Sequence, residues 1–257
     1  NVWCAAGKGT FGTDELVNRI DQTSLSQIVT TRTLVLPQLG APGVAAHEVK
    51  RRSGFRVVYG PVLARDIPPF LAAGMQATPA MRQVQFPLRE RLAVVPVELV
   101  GAAKYVLAVM VALFLLSGLA RDGFSWSRAV ADGVPASVMF LTAYLAAAVL
   151  GPVLLPWLPG RSFSLKGVWI GIAVLVVSGI WWMQRMPIGS QWLTVVAWLL
   201  IVPGTTSFSL MNFTGSTTYT SLSGVRREMR IAVPVQLTSL VAGTLLLILG
   251  RCFQNLT

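Results

Sequence analysis

The feature that most constrains this chain is a series of five apolar runs in its carboxyl-terminal part. A helix needs about 20 consecutive apolar residues to cross the hydrocarbon core of a bilayer. The runs have about this length, and they contain almost no ionisable side chains. They cover residues 100–119, 134–155, 168–183, 192–211 and 231–249. The sequence therefore predicts an all-α membrane domain of five transmembrane helices over residues 98–257.

Residues 1–97 have a different composition. The chain as a whole is 54% hydrophobic and 12% charged, whereas a soluble domain has about a quarter charged residues. More than half of the basic and acidic residues lie before position 98. This shift predicts a soluble head over residues 1–97. Because the first residue is not Met, we expect the sequence to be a piece of a longer protein that begins before Asn1.

The formal net charge of +11 could indicate nucleic-acid binding. Many of the basic residues, however, flank the apolar runs, where Lys and Arg set the orientation of a membrane protein. Arg82, Arg89, Arg91 and Lys104 surround the start of the first run. We therefore expect a multi-pass protein of the inner membrane with its head in the cytoplasm, in contact with lipid and not with nucleic acid.

Within the head, helix and strand signals alternate. Helices are predicted over residues 14–26, 44–52 and 67–73, and strands over residues 33–36 and 55–59. Such alternation predicts a parallel sheet, whose ligands sit beyond the carboxyl ends of the strands. Gly40, Gly43 and Gly60 fall in Gly/Pro turns at that edge. A glycine there would let the backbone approach a flat ligand, although ordinary turn chemistry explains the same residues.

The opening residues offer two interpretations as a binding motif. Residues 7–12 match G-x-G-x-x-G, but Arg32 stands near the place of the acid that a dinucleotide site needs, and Gly9 replaces the Ser or Thr of a phosphate-binding loop. Nucleotide binding is therefore disfavoured. Cys4 is a better candidate, because a helix amino terminus and the nearby Lys8 favour the thiolate that binds soft metals. A lone cysteine can also be a small buried apolar residue.

Residues 1–13, Asn-Val-Trp-Cys-Ala-Ala-Gly-Lys-Gly-Thr-Phe-Gly-Thr, resemble the signature of the mercury-methylation corrinoid protein family, HgcA. The head is also similar to the corrinoid domain of the corrinoid iron–sulfur protein. The resemblance implies an α/β Rossmann-like corrinoid-binding head followed by a five-helix membrane domain. It continues through residues 36–43, 58–62, 77–82, 212–215 and 223–230.

By this resemblance, residues 1–8 form a cap helix under a cobalamin-type corrinoid, and Cys4 is the lower axial ligand of its cobalt and the catalytic residue. The only histidine, His47, lacks the Asp-x-His-x-x-Gly pattern of histidine-ligated corrinoid proteins, and we expect it on a helix surface. The expected cofactor-binding residues are Asn1, Val2, Trp3, Cys4, Ala5, Ala6, Gly7, Lys8, Gly40, Gly43 and Gly60.

The implied activity is corrinoid-dependent methyl transfer to Hg(II), which gives methylmercury. The methyl donor would be folate-linked, and the implied electron donor is a ferredoxin-like iron–sulfur protein. We expect that partner to dock on a hydroxyl-rich stretch over residues 212–224 and the adjacent Arg226, Arg227 and Arg230. Two alternatives remain open: a corrinoid methyl carrier of one-carbon metabolism, and a non-catalytic membrane receptor or transporter.

Overall fold

The computed structural model describes residue 6 and residues 9–183, 192–216 and 222–254. The chain divides into two compact units, Asn1–Gln85 and Phe86–Thr257. Position 97, where the composition shift suggested a boundary, lies inside the first long helix of the second unit.

Short elements make up the first unit. Three brief 3₁₀ turns join them, at Gln38–Gly40, Ala64–Asp66 and Ala80–Arg82. In chain order the elements are α1 (Thr13–Gln22), α2 (Leu25–Ile28), β1 (Thr33–Leu36), α3 (Ala46–Ser53), β2 (Arg56–Tyr59) and α4 (Ile67–Ala72).

The two strands of this unit pair in parallel, with Thr33 opposite Arg56 and Leu36 opposite Tyr59. Because side chains alternate along a strand, Leu36 and Val57 fall on one face, where they join a core with residues of α1 and α3. Phe55, just before β2, is completely buried in this core. The other face carries Val35, which is 43% exposed.

The prediction of an α/β Rossmann-like head is wrong. Within the described residues the only sheets are the β1–β2 pair of four-residue strands and a two-residue hairpin in the second unit. A Rossmann-like fold needs several parallel strands side by side. The segment after β2 is rich in proline, with Pro61, Pro68, Pro69 and Pro79. Proline has no N–H to donate to a sheet hydrogen bond, so this segment is poorly suited to adding further strands to the sheet. The strands over residues 33–36 and 55–59 and the helices over residues 44–52 and 67–73 were nevertheless predicted to within a few residues, whereas the predicted helix over residues 14–26 is divided into α1 and α2.

The described part of the second unit contains five long helices. A two-stranded hairpin, β3 (Leu119–Ala120) with β4 (Gly123–Phe124), follows the first of them. All five helices are long and apolar enough to cross a membrane, which confirms the predicted number of spans and indicates a membrane protein. The helices are α5 (Leu88–Ser117), α6 (Trp126–Leu154), α7 (Phe163–Met183), α8 (Trp192–Met211) and α9 (Leu222–Gln254).

Large apolar side chains cover the outside of this unit as well as its inside. Val100 on α5 is 78% exposed and Val177 on α7 is 69% exposed. The interior is formed around α8, where Trp198, Ile201 and Val202 pack with residues of α5, α6 and α9. An apolar exterior of this kind suits a hydrocarbon environment.

Helices α7 and α8 meet at two glycines spaced as Gly-x-x-x-Gly. A Cβ added to Gly167 would lie 2.5 Å from the backbone O of Thr206, and one added to Gly171 would lie 2.7 Å from Cα of Pro203. Real Cβ atoms do not approach backbone atoms so closely. Glycine is therefore required at both positions, as in other small-residue contacts between membrane helices.

Polar side chains add a few specific links inside the unit. Nε2 of Gln236 on α9 donates to Oγ of Ser207 on α8 at 2.8 Å. Arg91, which is only 7% exposed, donates through Nη1 to the backbone O atoms of Pro152 (3.0 Å) and Val153 (2.7 Å). These carbonyls belong to the last turn of α6, where a helix has no backbone donors left.

A substitution in α7 tests the glycine contact. Gly171→Leu should lower the free energy of unfolding of the detergent-solubilised chain by about 1–3 kcal/mol, because the new side chain would overlap α8. Gly179→Leu on the same helix is the matched control, since a Cβ there has open space within 4 Å. Thermal unfolding followed by circular dichroism measures both variants. Equal melting temperatures for the two would contradict the described packing.

Candidate functional site

The segments that follow the two strands of the head begin at the same edge of the sheet, because the strands are parallel. The backbone N–H of Gly60, just after β2, donates to O of Leu36 at the end of β1 at 2.7 Å. The turn after β1 folds back on itself through a hydrogen bond from the N–H of Gly43 to O of Gly40 (3.0 Å). Gly40, Gly43 and Gly60 therefore all lie at this edge.

The amino-terminal segment lies against the turn after β1. The backbone N–H of Thr13 donates to O of Gly43 at 3.2 Å, and its Oγ1 accepts from the N–H of Ala45 at 2.9 Å. A Cβ added to Gly43 would overlap O of Phe11 and would lie 3.0 Å from Cα of Ala6. The structure thus brings Ala6 and Gly43, two of the predicted site residues, into contact.

The glycines at this edge adjoin protein atoms. A Cβ on Gly60 would lie 3.0 Å from Cγ1 of Val35, and Gly40 is buried. At Gly43, glycine thus allows the backbone of the turn to approach the backbone of the amino-terminal segment. At Gly60, the side chain of Val35 limits the space for a Cβ. Both are forms of the close approach for which glycine is suited.

A third stretch reaches the same edge from further along the chain. The backbone N–H of Val62 donates to O of Met81 at 2.9 Å, which brings residues 77–82 beside the segment after β2. The Tyr59 hydroxyl donates to O of Val44 and ties the end of β2 to the turn after β1. Several stretches of the head resemble the mercury-methylation family. Their described residues therefore lie together at one edge of a small sheet.

Of the predicted cap helix over residues 1–8, the structure describes Ala6. Ala6 is helical and only 6% exposed, and Gly9 donates its N–H to O of Ala6 at 3.2 Å. The remaining positions of the predicted helix lie outside the described residues. They are Asn1, Val2, Trp3, Cys4, Ala5, Gly7 and Lys8.

The donor set of the described residues can be compared with what a corrinoid requires. Among these residues no group of three or more His, Cys, Asp or Glu side chains could hold a metal ion. His47 is exposed on α3, as expected, with its side chain 82% exposed and Nε2 3.7 Å from Oε1 of Glu48. A corrin ring supplies four nitrogen ligands itself and needs one axial donor from the protein.

The predicted docking surface for a redox partner lies at the start of α9. Arg226, Arg227 and Arg230 are all exposed, whereas Glu228 accepts through Oε1 from the backbone N–H of Ser164 at 2.6 Å. Residues 217–221 of the hydroxyl-rich stretch lie outside the described residues. Three exposed guanidinium groups therefore lie within the first three turns of the helix.

Sequence reasoning missed the two side chains that tie this edge together, Thr13 and Tyr59. Tyr59 ends an apolar strand and Thr13 starts a helix, so neither stands out before the turn after β1 is placed between them. No protein-family model, no curated protein and no solved structure matches the chain. The likeness to the mercury-methylation family rests on the stretches of sequence alone.

The contact between Gly43 and the amino-terminal segment gives a prediction. Gly43→Ala should displace residues 6–11 and lower the stability of the head by about 1–3 kcal/mol, because the methyl group overlaps backbone. Gly12→Ala is the matched control in the same region, since its Cβ would meet nothing closer than 3.4 Å.

Limited proteolysis of the full chain measures the effect, with cleavage before residue 13 as the readout. Faster cleavage is expected only in Gly43→Ala. The same cleavage rate in both variants would contradict the described contact.

Proposed function

We propose that the chain is a corrinoid-dependent methyltransferase that transfers a methyl group to Hg(II), with the Cys4 thiolate as the lower axial ligand of cobalt. The observation that carries the proposal is the convergence of residues 36–43, 58–62 and 77–82 with the segment around Ala6 at one edge of the β1–β2 pair. These are the head stretches that resemble the mercury-methylation family.

The contact between Ala6 and Gly43 supports a role for Cys4 at this edge. Cys4 is two residues from Ala6, so the chain cannot carry its Cα more than about 7 Å from that of Ala6. Ala6 is held in turn by the turn after β1, which Thr13 and Tyr59 fasten through hydrogen bonds. The packing of the head therefore limits where the thiol can lie.

When bound, the corrinoid supplies a cobalt centre that carries the methyl group. The chain would contribute the Cys4 thiolate, a soft and electron-rich sulfur donor of the kind that suits a soft metal. A positive charge near a cysteine favours the thiolate over the thiol, and Lys8, four residues along the chain, would supply that charge. Cys4 would thus hold the group, and Lys8 would favour its deprotonated form.

The membrane domain would hold the head at the cytoplasmic surface of the inner membrane. The chain has two cysteines in all, too few for a four-cysteine iron–sulfur cluster. Electrons would come from a ferredoxin-like iron–sulfur protein, which is acidic enough to dock on Arg226, Arg227 and Arg230. The methyl group would come from a folate-linked donor.

Replacing the proposed ligand is the direct test. In Cys4→Ala we expect the absorption bands of sulfur-ligated cobalt to disappear when the full chain is loaded with cobalamin. Methylmercury formation should fall at least about 100-fold, since even outer-shell changes at metal sites cost up to that factor. Cys252→Ala, which removes the other cysteine, is the control and should keep both signals.

Two results would contradict the proposal. Methylation of Hg(II) at the control rate by Cys4→Ala would exclude the thiolate as ligand. Methyl transfer from the wild-type chain to a thiol acceptor, with none to Hg(II), would instead support the carrier of one-carbon metabolism.

The docking surface has its own test. The triple variant Arg226→Gln, Arg227→Gln, Arg230→Gln should bind a reduced ferredoxin-like protein more weakly and with a smaller dependence on salt, because exposed charges act mainly through screened attraction. Arg121→Gln is the control, since Arg121 is exposed in the hairpin after α5. Titration at several ionic strengths measures the affinity, and an unchanged salt dependence in the triple variant would exclude this surface.

A further inference from the structure

The membrane domain contains a cleft of about 920 Å³ between α5 and α9, with α6 and α8 behind it. Its volume is in the range of sites that bind small amphiphilic molecules, about 300–1,000 Å³. Its walls are almost entirely apolar. They include Val106, Val109, Leu113, Phe140, Ile201 and Leu245.

Polar groups gather at one end of the cleft, around Glu98. Nδ2 of Asn212 donates to Oε1 of Glu98 at 3.1 Å, and the Tyr144 hydroxyl donates to the backbone O of Glu98 at 3.2 Å. Glu98 and Asn212 both line the cleft. Glu98 therefore places a carboxylate at the polar end of an apolar cleft.

Lys104 does not line the cleft itself, but its side chain lies beside a residue that does. Nζ of Lys104 lies 4.9 Å from the ring centroid of Tyr105, and Tyr105 lines the cleft. Six residues of helix separate Glu98 from Lys104, which is a rise of about 9 Å. Along α5 the order is thus an acid, then a base, then the apolar wall that continues to Leu113.

Beyond the cleft, Nη2 of Arg251 on α9 donates to Oγ of Ser117 on α5 at 2.8 Å and joins the two helices. From Glu98 to Leu113 the wall rises about 22 Å, which is more than half of the roughly 30 Å hydrocarbon core. A ligand would therefore place its polar part near Glu98 and its chain along α5.

We propose that this cleft binds one aminophospholipid from the bilayer. Its ammonium group would pair with Glu98, its phosphate with the flexible Lys104, and an acyl chain would fill the apolar part. The order of charges on α5 matches the order of groups in such a lipid. An anionic lipid without an amine would place only negative charge beside Glu98 and would bind more weakly. This inference does not depend on the proposed methyl transfer.

A single substitution can fill the cleft without disturbing the helices. Gly101 lines the cleft, and a Cβ on it would meet nothing within 4 Å, so Gly101→Phe should occupy the space of the acyl chain. Gly179→Phe is the matched control, because Gly179 is also open and lies outside the cleft. Glu98→Gln removes the charge and keeps the shape.

The experiment purifies the full chain from nanodiscs of equal parts phosphatidylethanolamine and phosphatidylglycerol, and measures retained lipid by native mass spectrometry. We expect one phosphatidylethanolamine per chain in the wild type and in Gly179→Phe, and at least a tenfold loss in Gly101→Phe. Glu98→Gln should reduce the preference for phosphatidylethanolamine about fivefold or more. Melting temperatures verify that each variant is folded.

Three outcomes would overturn the proposal. Undiminished lipid in a folded Gly101→Phe would place the lipid elsewhere, and equal retention of the two lipids by the wild type would remove the headgroup pairing. A dimer in the wild type that Gly101→Phe converts to a monomer would show that a second copy of the chain fills the cleft.

Discussion

The close approach of α7 and α8 at Gly167 and Gly171 is the contact on which the membrane domain depends. Inside a bilayer, burial of apolar side chains does not favour helix association, because lipid chains are equally apolar. Association must come from close packing and from hydrogen bonds between helices. Helix α8 packs its small residues against α7 and bonds to Gln236 of α9 through Ser207. Residues of α5, α6 and α9 pack with α8 in the interior of the domain.

The buried Arg91 shows how the same unit accommodates a charge. Its guanidinium bonds to the carbonyls of Pro152 and Val153 in the last turn of α6, where the helix has exhausted its own donors. Nη1 of Arg91 thus supplies the donor that these two carbonyls lack, while its Nε is buried without a partner among the described residues. The same principle applies in the head, where Thr13 and Tyr59 supply donors and acceptors to the turn after β1. In both units a polar side chain fixes the place where an element ends.

The sequence predicted local structure well and the architecture of the head badly. The strand over residues 33–36 and the five apolar runs were correct, because strand formation and membrane crossing depend on composition over short windows. The number of strands in a sheet depends on partners far away in the chain, so two strand signals did not determine it. The Gly-x-x-x-Gly spacing of Gly167 and Gly171 is visible in the sequence, but the close contact between helices was not predicted from it. The cleft could not be predicted from the sequence, because residues of four helices form it. Glu98, an isolated acid beside an apolar run, was the one sequence feature that indicated a polar site there.

The helices of the membrane domain differ in length. Helix α7 has 21 residues and is about 31 Å long, whereas α5 has 30 residues and is about 45 Å long. When a helix is about as long as the roughly 30 Å hydrocarbon core, tilting moves its ends into the hydrocarbon. A longer helix can tilt, or can extend beyond the bilayer surface. Because α7 and α8 are in close contact, a bilayer thicker than α7 would have to thin around this pair, whereas the longer α5 could tilt within the same bilayer.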